Sequence, residues 1–375
     1  MNHTTPRIFI AATEQNTGKT TISLGLHGAL RESFQRIGFI KPVGQRFVDV
    51  EGKRIDEDSV LIRQTYDTQA PIEDMSPIAV EPEFTRRYIN HANHDALVRR
   101  IKHSFDRTTW EKDFSIIEGT GHAGVGSVFD LSNARVAKLL ESKVLLIVPG
   151  GIGRPIDEAA VNKALFDKEG VEVIGVVMNK LLPSKMEAVG DIARRGFERL
   201  GIELLGVVPL DEILLQPSLD QVCQPAHAEF LHRPEDSRTR VADILIGAMS
   251  TSNLFAEVMP GTLLIVPGDR EDVILACISR AISESTQPFC AIMLSDDLRP
   301  SQRLMDMISE SNLPVMASPL DSYNIASRIH SMTVKTLPGA SEKILRIQEL
   351  ISQHVDVKRI LEKLNPSPAP ETSQY

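Results

Sequence analysis

Short apolar runs rich in β-branched residues alternate along this chain with longer stretches of helical period. The runs RIFIAA (7–12), RIGFIKPV (36–43), FSIIEG (114–119), KVLLIVPGG (143–151), VEVIGVVMNK (171–180) and ELLGVVP (203–209) read as strands, apolar on both faces and closed by Gly, Pro or Asn. Between them lie helix-sized segments at 18–35, 133–142, 155–167 and 185–200. Two-faced strands alternating with helices predict an α/β fold with a parallel sheet covered by helices on both sides. In such sheets ligands sit at the carboxyl ends of the strands, which is where the polar residues collect here.

The alternation resets after residue 210. The segment 212–237 is proline-bearing and irregular, and reads as a boundary with a lead-in to a second unit. TLLIVPGDR (262–270), FCAIMLSDD (289–297) and LPVMASPL (313–320) then read as three further strands of a smaller α/β domain. One amphipathic helix is expected from Glu342 to Leu364, with Ile344, Ile347, Leu350, Ile351 and Val355 on one stripe. The expected division is therefore 1–214, 215–364 and a tail at 365–375 whose proline and polar residues have nothing to bury.

A length of 375 residues suits two domains, and 42% hydrophobic with 24% charged residues suits packed cores. A formal net charge of −9 argues against a nucleic-acid backbone as the main partner. No apolar run approaches the roughly 20 residues that span a bilayer, so no membrane partner is expected. Three cysteines, Cys223, Cys277 and Cys290, are scattered with no pair at metal spacing. Cys277 and Cys290, in apolar runs, fit small core residues, and the odd, sparse count fits a reducing, cytoplasmic compartment.

The candidate chemistry begins at residues 12–21, ATEQNTGKTT, between a strand and a helix. Gly18 permits close backbone approach to a phosphate. Lys19 supplies a point charge for the β- and γ-phosphates, and the Thr20 hydroxyl suits Mg²⁺. The usual leading glycine, five residues before Gly18, is Thr13 here. Strand ends add further groups. Asp58 and Glu118 are hard oxygen donors suited to Mg²⁺ through water, Lys41 suits a phosphoryl group or an acidic substrate, and Asn179 offers donor and acceptor to a base.

Together these stretches resemble dethiobiotin synthetase. In that family a threonine-acid pair follows the strand and the leading glycine lies one residue earlier, where this chain has Ala12 followed by Thr13 and Glu14. GFIKPVGQ (38–45) resembles its Lys-Pro-Val motif, with Lys41 as the lysine. IDEDSVLI (55–62) resembles the acidic loop, with Asp58 the best match and Asp56 the alternative. IIEGTGH (116–122) resembles the strand-terminal Glu-Gly, and VVMNKL (176–181) the strand whose Asn179 reads the adenine edge. The resemblance implies ATP and Mg²⁺ as cofactors. Thr13, Glu14, Asn16, Thr17, Gly18, Lys19, Thr20, Thr21 and Asn179 would hold the nucleotide, and Thr20, Asp58 and Glu118 would face the metal. Lys19 and Lys41 are its catalytic candidates.

Residues 261–278 resemble the DRTGG domain, with Pro267, Gly268, Asp269 and Arg270 at the motif, and residues 242–258 and 313–329 resemble the rest of that module. The pair of domains resembles the N-terminal half of the long form of phosphate acetyltransferase, without the catalytic domain that follows there. Two departures stand out. Where the second module's threonine and two glycines belong, this chain has Ser295-Asp296-Asp297, expected as a solvated helix start. Gln45-Arg46 follows Lys41 where dethiobiotin synthetase carries a serine.

Other conspicuous residues read more blandly. His91 and His94 are expected at the surface. His122 lies in a glycine-rich loop near the phosphates, open to substrate contact or to no role. Arg270 is equally open to a ligand role or to local pairing beside Asp269.

The resemblance implies a Mg-ATP-binding regulatory or sensor protein. An ATP-dependent ligase of the dethiobiotin-synthetase type, or a non-catalytic subunit assisting a separate acetyltransferase, are its alternatives. It also implies homo-oligomers, with a small-molecule effector at the second domain.

Overall fold

A computed structural model describes residues 1–234, 239–283 and 289–364, so the expected tail at 365–375 lies outside the described residues. The chain divides into two compact units, Met1–Asp211 with Thr336–Tyr375, and Glu212–Lys335.

The first unit is built on six parallel strands: β1 (Arg7–Ala12), β2 (Ile37–Ile40), β3 (Phe114–Glu118), β4 (Lys143–Pro149), β5 (Val173–Leu181) and β6 (Leu204–Pro209). They lie in the order β6-β5-β4-β1-β3-β2. Strand order reverses around β1, whose neighbours β3 and β4 send their loops to opposite sides of it. Because β1 and β3 are buried along their whole length, the alternation of a half-exposed strand is missing from their sequences. Phe9, Phe105, Phe166 and Phe197 are fully buried in the cluster against this sheet, each contributing about 1.5–3 kcal/mol by leaving water.

Two short elements bring acids to the β2 side. Residues Phe47–Val50 and Lys53–Asp56 form an antiparallel hairpin, with Phe47 opposite Asp56. Asp56 then caps the helix α2 (Glu57–Tyr66), its carboxylate accepting from Asp58 N at 3.0 Å. That hairpin is not visible as a pattern in the sequence.

The second unit has five strands, β7 (Glu229–His232), β8 (Asp243–Ile246), β9 (Thr262–Pro267), β10 (Phe289–Ser295) and β11 (Val315–Ala317), in the order β7-β11-β10-β9-β8. All pairs are parallel except β7 with β11. The three expected strands are present. The segment read as irregular is instead ordered as helices Glu212–Leu215 and Leu219–Ala226 followed by β7. A capping box at Ser218 and Gln221 starts the second helix, and Pro225 lies in its last turn.

The expected boundaries need correction. The second unit ends at Lys335, and residues from Thr336 onward belong with the first. The single helix expected from Glu342 to Leu364 is two, Ser341–His354 and Val357–Leu364, broken where Val355 becomes extended and bridges to Gly206 of β6. The first of these helices packs on α1 (Lys19–Leu30), where a Cβ on Gly25 would overlap Ile351. Arg346 holds Asp211 at 2.7 Å and Arg359 holds Glu203 at 3.0 Å. The apolar stripe correctly signals a packed helix, but periodicity does not say which core receives it.

Among the described residues no helix is long and apolar enough to cross a membrane.

Candidate functional site

The first unit gathers its polar side chains where β1, β3 and β5 end. After β1 the chain turns through Thr13–Gly18 into α1. Asn16 and Gly18 both have positive φ, 59° and 100°, which curls the loop tightly ahead of the helix. A side chain on Gly18 would overlap Asn179 Nδ2, so glycine is required by space as well as by φ. Helix α1 then begins at Lys19 with no side-chain cap on its N-terminus. A helix start without a side-chain cap leaves amide donors that an anion can satisfy.

The walls of the loop are tied down from three directions. Thr13 N donates to Ile147 O on β4 at 3.0 Å, and Thr17 Oγ1 donates to Glu14 O at 3.0 Å. From β5, Asn179 Nδ2 donates to Thr17 O at 2.8 Å and Lys180 Nζ to Asn16 O at 2.7 Å. Arg154, at the start of helix Gly153–Glu169, pairs with Glu14 and holds Glu158 Oε1 at 2.6 Å, while Thr13 Oγ1 donates to Glu158 Oε2 at 3.1 Å. Thr21 follows on the first turn of α1, partly exposed.

The floor is electrostatic. Thr20 Oγ1 donates to Glu118 Oε1 at 3.1 Å. Lys41 Nζ pairs with Asp58, lies 3.0 Å from Asp56 Oδ1 and 3.5 Å from Glu118 Oε1, and is almost fully buried. Glu118 and Asp56 are buried too, and Glu118 Oε2 and Asp56 Oδ2 have no hydrogen-bond partner. Burial, and then the neighbouring Asp58 charge, push the Glu118 carboxyl above its ordinary range despite Lys41. Burial does the same to Asp56, partly offset by Lys41. Burial alone would depress Lys41, but Asp58, Asp56 and Glu118 together raise it well above the usual lysine value.

The candidate residues therefore converge. Thr13, Glu14, Asn16, Thr17, Gly18, Lys19, Thr20 and Thr21 form the loop and helix start, and Glu118, Lys41, Asp58 and Asp56 lie beneath Thr20. Asp56 and Asp58 both contact Lys41, so the acidic loop contributes two residues rather than one. Asn179 braces the loop, its Nδ2 committed to Thr17 O. Arg154, Glu158 and Lys180 join the site without having been singled out. Their signals were slight: a Gly-Gly-Ile-Gly run before Arg154, and a lysine directly after Asn179.

Does this floor suit a divalent cation? Among the described residues no three His, Cys, Asp or Glu side chains converge as a ready-made metal cage. Mg²⁺ does not need one, since it keeps several waters and takes oxygens from phosphate. The buried Glu118, its Oε1 accepting from the Thr20 hydroxyl at the helix start and its Oε2 without a partner, is the feature expected of a carboxylate on the metal's side. The donor set fits.

Other candidates differ in their surroundings. Gln45 and Arg46 are exposed, as are His91 and His122. Cys277 and Cys290 are buried, their thiols pushed up to about 12 by burial. In the second unit Arg270 chelates Asp272 at 2.8 and 3.0 Å and reaches Gly247 O and Met249 O, so its role here is local pairing. Ser295-Asp296-Asp297 is not a helix start. Asp296 and Asp297 both have positive φ, 67° and 54°, in a turn whose amides donate to Leu320 O and Ser318 O, and the next helix begins at Gln302. Aspartate tolerates the left-handed region better than most residues, so the turn survives the loss of glycine.

With this geometry in view, two family models cover the chain. One, described as an AAA domain (AAA_26), matches residues 6–218, and the other, described as a DRTGG domain, matches residues 221–332. The chain belongs to the AAA_26 family. It pairs that dethiobiotin-synthetase-like P-loop domain with a DRTGG domain. Among curated relatives, the phosphate acetyltransferase of Pseudomonas aeruginosa is 27% identical over 365 residues, 93% of this chain and 50% of that protein. That of Pseudomonas putida is 25% identical, again over 93% and 50%. That of Nitratidesulfovibrio vulgaris is 24% identical, over 95% and 51%. The AAA_26 chain thus spans about half the length of the curated relatives it matches. Among solved structures, the MinC:MinD cell division protein complex of Aquifex aeolicus aligns at TM-score 0.36 and 13% identity, over 56% of this chain and 83% of that one. That likeness is too slight to bear on function.

Proposed function

We propose that the first unit binds ATP with Mg²⁺ and that the bound nucleotide serves a regulatory or sensing role. The observation that carries this reading is the uncapped start of α1 behind a loop with positive φ at Asn16 and Gly18, with Lys19 and Thr20 at its mouth. The loop amides and the α1 dipole would receive the phosphates, and Lys19 would neutralise their charge. Thr20, Glu118 and Asp58 would face Mg²⁺, which when bound would supply charge stabilisation at the phosphoryl oxygens. Asn179 Oδ1, with Nδ2 committed to Thr17 O, presents an acceptor to an exocyclic amine such as that of adenine.

A ligase of the dethiobiotin-synthetase type needs Lys41 open to an acidic substrate. Here three carboxylates surround its ammonium, which favours the regulatory reading. The second unit would act as an effector or partner module. Aspartates at 296 and 297 disfavour an anionic ligand at that turn. A cytoplasmic, homo-oligomeric protein acting alongside a phosphate acetyltransferase activity completes the proposal, with three unpaired thiols in support of the compartment.

The test is a thermal melt with and without millimolar Mg-ATP. A ligand that binds only the native state raises Tm, and Lys19→Ala should abolish the rise. No shift in the wild-type protein contradicts nucleotide binding. ATP-dependent incorporation of bicarbonate into an amine would instead establish the ligase. Capture of an acetyltransferase that persists in Lys19→Ala would point to a nucleotide-independent interaction subunit.

A further inference from the structure

The cluster beneath Thr20 carries one more conclusion, which rests on the Mg-nucleotide reading above. Lys41 Nζ is held by Asp58, by Asp56 at 3.0 Å and by Glu118 at 3.5 Å. Glu118 Oε1 also receives the Thr20 hydroxyl at 3.1 Å, so the ammonium stands on the same carboxylate oxygen that a cation beside Thr20 would use. The other oxygen, Glu118 Oε2, is buried and unpartnered, although a buried carboxylate ordinarily fills its acceptor sites.

We propose that Lys41 is a built-in occupant of the cation seat: in the nucleotide-free protein its ammonium competes with a divalent ion for Glu118 and Asp58. The acids stay charge-compensated while the site is empty of nucleotide. Lys41 is a positioning residue in this account, acting on the cation through the acids they share.

Charge alone could mimic such competition, and a variant separates the two. The wild-type cluster carries one ammonium and three carboxylates, a net of −2. Lys41→Met with Asp56→Asn leaves Asp58 and Glu118, also −2, and vacates the seat. Lys41→Met alone would take the cluster to −3, whereas the pair of substitutions holds it at −2, with Asp58 and Glu118 standing without their ammonium. Circular dichroism and a melt establish that the double variant is folded.

The probe is Mn²⁺, followed by electron paramagnetic resonance on nucleotide-free protein. The double variant should bind Mn²⁺ at least about tenfold more tightly than wild type. Adding Glu118→Gln to the double variant should remove that gain. Affinity equal to wild type or weaker overturns the proposal, as does a gain that survives Glu118→Gln. Mn-ATP binding by the wild-type protein is measured in parallel. Its absence sinks the nucleotide reading, whereas wild-type Mn-ATP binding with no Mn²⁺ gain in the double variant sinks only the role of Lys41.

Discussion

The two units present the same kind of surface, the carboxyl ends of parallel strands, and furnish it in opposite ways. In the first, Lys41, Asp56 and Glu118 are buried, and two carboxylate oxygens lack partners. In the second, the matching positions are satisfied locally. Arg270 closes on Asp272, Arg299 pairs with Glu229 at 2.7 Å, and Asp296 and Asp297 are exposed. Buried charge left partly unmatched costs folding energy and persists where something else completes it, which is why it marks function. An exposed ion pair contributes about 0–1 kcal/mol and marks little.

That contrast can be broken at several points. The largest effect belongs to Lys19. Lys19→Ala should weaken Mg-ATP binding at least about 100-fold, near 3 kcal/mol, by isothermal titration calorimetry. Arg270→Ala should leave affinity within about twofold. Equal losses would mean that the second unit holds the nucleotide.

Next in size is a pH effect confined to the first unit. His27 on α1 is buried, stacked on Tyr66 with 3.9 Å between ring centroids, and both its nitrogens lack partners. Burial, with help from Arg31, pushes its pKa down to about 3. Unfolded protein therefore binds a proton near pH 6.5 that native protein refuses until about 3, so stability falls as pH drops through that window. The slope is about 1.4 kcal/mol per pH unit. Glu118 and Asp56, pushed up by burial, take up protons in the native protein in part of the same window and oppose this loss. The His27 contribution is therefore read as the difference between wild type and His27→Phe in denaturant melts at pH 7 and pH 5, with the variant gaining relative stability at pH 5. An unchanged loss in that variant assigns it elsewhere.

Glu118→Gln is smaller and two-signed. Removing a buried charge whose carboxyl is already pushed up should stabilise the ligand-free protein at pH 8 by about 1–2 kcal/mol. It should also weaken the Mg²⁺-dependent part of ATP binding. Asp297→Asn, at an exposed position, should do neither. A melting curve at pH 8 with and without Mg-ATP reads both outcomes.

The smallest effect tests the turn in the second unit. Asp297→Gly relieves a positive φ and should change stability by less than about 1 kcal/mol, in the stabilising direction. A larger loss in the melt would show that the Asp297 pair with Arg299, at 3.8 Å, outweighs the backbone strain.

The six strands of the first sheet and the loop at 12–21 were legible because doubly buried strands and a strand-loop-GKT-helix order leave strong local patterns. Asp58 was readable as an acid at the right place. Asp56 stood only as an alternative because its role depends on a hairpin, and hairpin pairing is a tertiary fact. Arg154 and Lys180 act through contacts 140 and 164 residues away in sequence, which no local pattern records. The return of residues 336–364 to the first unit was hidden for a similar reason. The stripe at Ile344, Ile347 and Ile351 demands burial, but the notch that accepts it is Gly25 on α1. Asp296 and Asp297 misled because acids after a strand usually open a helix, whereas here they hold the backbone of a turn.

Hydrogen exchange with and without Mg-ATP, resolved by peptide, tests the central claim most directly. The account predicts new protection at residues 13–21 and 116–120, with peptides over 267–272 and 295–299 unchanged. Protection confined to the second unit, with the loop at 13–21 exchanging as before, would contradict it.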